Sequence, residues 1–154
     1  MGAAMAGPRA TIMVAIVPEK VALWRRILEG HEVVFVPTHA EATRRLAEGK
    51  DFKLIIIGVH FDESRMFSLL GDVRAHPKYR KVPVLVVLAP GQFKFSAIAV
   101  EGIDRAVTAL GASFLNLDHF ADNAAGEASI RRIVDTVLAS GGNLQGSPRE
   151  TTSE

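Results

Sequence analysis

Wholly apolar runs alternate along this chain with segments in which apolar positions recur every three or four residues. Residues 10–17 (ATIMVAIV) are almost entirely apolar and rich in β-branched side chains, as in a strand covered on both faces. Pro18 follows, where proline can open a helix. Val21, Trp24, Ile27 and Leu28 then share one helical face, and Gly30 stops the helix. Residues 33–36 predict a second strand. Thr38 stands three residues before Glu41, a capping-box spacing, and predicts a helix reaching Gly49 with Arg44, Arg45 and Glu48 on its exposed face.

The pattern then repeats. Residues 54–59 predict a third strand. Met66, Leu69, Leu70 and Val73 fall at i, i+3, i+4 and i+7, a helix that ends at His76-Pro77. Residues 82–88 predict a fourth strand, broken by Pro90-Gly91. A helix with Ile103, Val107 and Leu110 inward ends at Leu110-Gly111, with Gly102 a candidate interruption near its start. Residues 114–117 predict a short fifth strand. Ile130, Ile133, Val134, Val137 and Leu138 predict the last amphipathic helix.

Five strands alternating with five helices predict a parallel sheet with helices on both faces, an α/β three-layer sandwich. Residues 1–9 form a predicted flexible arm, 10–140 the single domain, and 141–154 a Gly/Ser/Thr-rich tail expected to be disordered.

Composition narrows the function classes. The 154 residues suffice for one domain with a substantial core, and 48% of them are hydrophobic. A formal net charge of +1 argues against broad phosphate neutralisation on nucleic acid. Cysteine is absent, which removes disulfide scaffolds and thiolate chemistry and fits a reducing cytosol. The N-terminus lacks the apolar core of a signal peptide, and no apolar run approaches a membrane span. A cytoplasmic domain is expected.

Several fragments, in order and spacing, resemble the receiver domain of bacterial response regulators. They are VPVLVVLA (residues 82–89), ALGASFLNLDHF (residues 109–120) and the stretch from Leu54 through the third helix. The resemblance covers residues 10–138 and implies a flavodoxin-like sheet of order 2-1-3-4-5. Receivers phosphorylate an aspartate at the end of strand three. An acidic pair after strand one helps hold Mg²⁺, a Thr or Ser ends strand four, and a Lys follows strand five. At those positions this sequence carries Gly58, Val17 (within Ile16-Val17-Pro18), Leu88 and Asp118, the last followed by His119 where proline is usual. Glu19 is the one acid near the metal position. The resemblance therefore implies a degenerate member, a pseudo-receiver without phosphotransfer chemistry. It implies no catalytic residue, no cofactor and no metal.

Other residues offer weaker signals. Glu19, Asp62 and Asp118 are expected near the carboxyl edge of the sheet, where three acids could ligate a divalent cation; solvated loop acids are the favoured reading. Asp62 and Glu63 are read as loop acids opposing the dipole of the third helix. His31, His39, His60, His76 and His119 are scattered, with no metal-ligand spacing. No Gly-rich phosphate loop follows strand one. Trp24 sits at core spacing. The pairs Arg25-Arg26, Arg44-Arg45 and Arg131-Arg132 are read as solvated faces.

Phe93 and Phe95, interleaved with Gln92 and Lys94, mark a candidate contact surface. In receivers the face of helix four, strand five and helix five is the usual contact surface, and Leu115 and Leu117 would join the phenylalanines there. The expected function is a phosphorylation-independent signalling module that binds another signalling protein or forms a homodimer through that face. The alternatives are a small-molecule- or metal-binding module on the same scaffold, and the regulatory half of a DNA-binding regulator, although no helix-turn-helix is apparent.

Overall fold

The structure is a computed structural model that describes residues 9–89 and 96–140. Five strands, β1 (Thr11–Ala15), β2 (Glu32–Val36), β3 (Leu54–Gly58), β4 (Val84–Leu88) and β5 (Ser113–Asn116), form one sheet of order β2-β1-β3-β4-β5. Every pairing is parallel. The helices between and after them are α1 (Val21–Ile27), α2 (His39–Ala47), α3 (Met66–Ala75), α4 (Ala97–Ala109) and α5 (Ala124–Ser140). This is the three-layer α/β sandwich and the strand order expected from the sequence.

Alternation along the strands explains why they are apolar throughout. Met13, Ala15, Ile55 and Ile57 point into one core, shared with α2, α3 and α4. Ile12, Val14, Leu54 and Ile56 point into the other, shared with α1 and α5. Both faces are covered, so neither set can be polar. Trp24 is 1% exposed within the second core, as its spacing predicts.

The element ends depart from the sequence reading for local reasons. Pro18–Lys20 forms a 3-10 turn rather than the first turn of α1, which begins at Val21. β4 starts at Val84, two residues late, because the Val82 N–H closes a turn onto Tyr79 and Pro83 has no N–H to give. β5 stops at Asn116, whose side-chain oxygen accepts the Asp118 N–H at 3.0 Å and turns the chain into a 3-10 turn at Leu117–His119. Gly102 does not interrupt α4. The inward face of α4 is Val100, Ile103 and Val107; Leu110, expected inward, is 38% exposed at the helix end. Thr38 caps α2 through the Glu41 N–H, but the Glu41 carboxylate turns to Arg44 and Arg45, so only half of the capping box forms.

Two arginines staple the layers. Arg74 donates to the carbonyls of Leu110, Gly111, Arg80 and Val82, tying α3 to the end of α4 and to the chain entering β4. Arg131 donates to the carbonyls of Ile27 and Glu29 and pairs with Asp135, closing the end of α1 onto α5. The solvated face expected of Arg131 is thus a structural joint.

Candidate functional site

In a parallel α/β sheet the chain leaves each strand at the same edge, and ligand-binding loops gather there. Gly58 ends β3 at that edge, paired with Val87 of β4. Leu88 ends β4, paired with Asn116. Ile16 and Val17 follow β1, and Asp118 lies beyond β5. The fold therefore brings together the region that the sequence reading singled out.

The groups collected there are mostly apolar. A cavity of about 20 Å³ lies at this edge, walled by Ile16, Val17, Trp24, Gly58, Val87 and Leu117 among others. Among the described residues Lys20 and His60 supply its ionisable side chains, and no carboxylate lines it. That volume admits one water molecule. Burial pulls the His60 pKa below its ordinary value, so the neutral imidazole is favoured. Leu88 is 4% exposed and packs into the core beneath α4. Asp118 is exposed, in the 3-10 turn.

No protein-family model matches this chain, and no curated protein sequence matches it. Solved structures do. A response regulator from Hahella chejuensis superposes with a TM-score of 0.66 at 18% identity, covering 88% of this chain and 99% of that one. A chain from Chloroflexus aurantiacus, also described as a response regulator, gives 0.65 at 20% identity, covering 86% and 99%. The receiver domain of a sensor histidine kinase from Pseudomonas aeruginosa gives 0.60 at 19% identity, covering 86% and 99%; its structure holds a magnesium ion in the active-site cleft.

The fold is that of a receiver domain.

Within that fold the residues present do not suit a magnesium ion. Mg²⁺ takes oxygen ligands, carboxylates above all. Here the end of β3 has no side chain, the residues after β1 are Ile16 and Val17, and the cavity wall carries Lys20 where a cation would be repelled. Among the described residues no three of His, Cys, Asp and Glu gather closely enough to hold a metal.

The three acids considered from sequence go separate ways. Glu19 is exposed on the Pro18–Lys20 turn. The Asp62 carboxylate accepts the His39 backbone N–H at 2.7 Å, so it caps the start of α2 rather than opposing the dipole of α3. The partnership joins the segment after β3 to the first residue of α2 and leaves no local spacing signal.

The candidate contact residues also divide. Phe93 and Phe95 lie outside the described residues. Leu115 is half-buried and packs with the α1/α5 core. Leu117 is 3% exposed, because the turn after β5 folds its side chain inward; it is a core residue, not a surface one. The sequence reading missed Ile98, which is 82% exposed on the first turn of α4. Its signal was present: Ile98 stands off the stripe formed by residues 100, 103 and 107. The histidines are likewise less idle than their scatter implied. His31 accepts the Ala10 N–H through Nδ1 at 3.0 Å, and the His39 ring meets Asp72 of α3 at 2.7 Å.

Proposed function

We propose that this chain is a receiver-like signalling module that works without phosphorylation, by binding another protein through the face around α4. The observation that carries the first half is the donor set at the carboxyl edge: Gly58, Val17, Leu88 and Asp118 stand where receivers need a nucleophile, a metal ligand, a hydroxyl and a lysine. Gly58 offers no phosphoryl acceptor, Val17 no metal ligand and Leu88 no hydroxyl, which supports this reading.

Ile98 supports the second half. Among the described residues the exposed large hydrophobic side chains are Phe67, Ile98 and Leu110; two belong to α4 or its end, and Ile98 is far the most exposed. A solvated isoleucine, three residues after Phe95 in sequence, suits an apolar anchor in a protein contact. A small-molecule function at the sheet edge finds little support in a cavity of about 20 Å³.

The reading is tested by incubating the purified protein with acetyl phosphate and Mg²⁺ and measuring intact mass, alongside partner capture from native cells with wild type and Ile98→Asp. Unchanged mass and a partner lost from a folded variant support it. A phosphorylated product defeats the first half, and an unchanged partner set defeats the assignment of α4.

A further inference from the structure

The segment between β3 and α3 holds three successive non-glycine residues in the left-handed region: Asp62 at φ +45°, Glu63 at +57° and Ser64 at +69°. Each is disfavoured for an L-residue with a Cβ, and a run of three is more so. The side chains of Glu63 and Ser64 make no hydrogen bond or ion pair among the described residues and are exposed, so they do not hold the turn. It is held at its ends. Phe61 is fully buried, its carbonyl accepts the Arg65 N–H at 2.8 Å, and Asp62 is bound to the His39 N–H.

The same residues suit a different backbone. The hydrogen-bond ladder of α3 already begins at Arg65, whose carbonyl accepts the Leu69 N–H at 3.1 Å. Winding 62–64 into right-handed conformation would extend that helix upstream by about one turn. Glu63, exposed and without a hydrogen bond among the described residues, would then lie in the first turn of a helix, where an acidic side chain is favoured. Arg65 Nε already lies 3.9 Å from the Asp62 carboxylate in the turn as it stands. The His39 ring stays tied to Asp72, so α2 need not leave its seat when the backbone contact breaks.

We propose that residues 61–65 are a two-state latch. A strained left-handed turn is held by Asp62 on the His39 N–H, and on release it winds into an added first turn of α3. The latch adjoins the carboxyl edge at Gly58 and needs no phosphoryl group, so it offers a route to conformational change independent of the absent phosphorylation chemistry.

Two variants of the full chain push the latch in opposite directions. Glu63→Gly removes the Cβ from a left-handed position and favours the turn; Asp62→Ala removes the hold and favours the helix. Glu63→Gly is expected to raise Tm by roughly 2–4 °C. In Asp62→Ala, one-bond Cα–Hα couplings and i,i+3 proton contacts at residues 62–65 are expected to change from left-handed to right-handed values. A Tm that is unchanged or lower in Glu63→Gly shows that no strain is stored. Left-handed couplings that persist in a folded Asp62→Ala show that Asp62 is not the hold. Either result overturns the proposal.

Discussion

A Cβ placed on Gly58 would lie 3.5 Å from Cγ2 of Ile16, an ordinary van der Waals distance, with no backbone atom closer than 3.8 Å. The glycine is therefore not imposed by packing, and its φ is not in the left-handed region. The sheet has room for the first atom of the side chain that receivers use at this point. On the proposed reading, phosphotransfer is lost through the set of residues and not through a collapsed scaffold.

Restoring one member should therefore restore nothing. Gly58→Asp is expected to fold, at a cost of about 1–3 kcal/mol for a carboxylate held against an apolar edge. It should remain unphosphorylated by acetyl phosphate, because Val17 offers no metal ligand, Leu88 no hydroxyl and Asp118 no positive charge. Thermal melting and intact mass check the two halves separately.

Gly126 presents the opposite case. It lies inside α5, where replacing glycine with alanine ordinarily stabilises by about 1 kcal/mol. Here the added Cβ would fall 1.7 Å from the carbonyl oxygen of Ala121. Gly126→Ala is expected to lower Tm despite the gain in helix propensity, whereas Gly102→Ala, with open space around its Cβ, should raise it.

Arg74 holds four carbonyls with one guanidinium. Arg74→Ala leaves them without that donor at the junction of α3, α4 and β4, and should cost about 2–4 kcal/mol in chemical denaturation. Arg74→Lys keeps the charge but not the planar fork, and should recover less than half of that loss.

Much of this was legible in the sequence, for a physical reason. A strand buried on both faces has no polar positions, so β1, β3 and β4 announce themselves as apolar runs. The stripe of Met66, Leu69, Leu70 and Val73 is fully buried, as its spacing requires. Illegible were the contacts made between distant segments. Nothing local marks Arg131 as the partner of the Ile27 and Glu29 carbonyls, or Asp62 as the cap of α2. Leu117 looked like strand continuation because its apolar character is the same in a strand or in an inward-folded turn. The positions of Gly58, Val17, Leu88 and Asp118 were fixed by strand ends, and the parallel register brings those ends to a common edge.

His60 gives the domain an acid-sensitive edge. Its folded-state pKa is lowered by burial, so the unfolded chain takes up the proton first. The stability that depends on neutral His60 is complete well above the unfolded value of about 6.5 and declines as pH falls through it. Between pH 7.5 and 5.5 the wild-type Tm should drop more than that of His60→Gln. Equal drops would show that burial of His60 contributes nothing.

On the proposed reading, a receiver fold persists here without phosphoryl and metal chemistry. The most direct measurement is an amide-resolved NMR titration of the wild-type chain with Mg²⁺ and beryllofluoride, which mimics the phosphoryl group. No saturable shift is expected at Gly58, Leu88 or Asn116. A saturable shift clustered at those residues would contradict that reading.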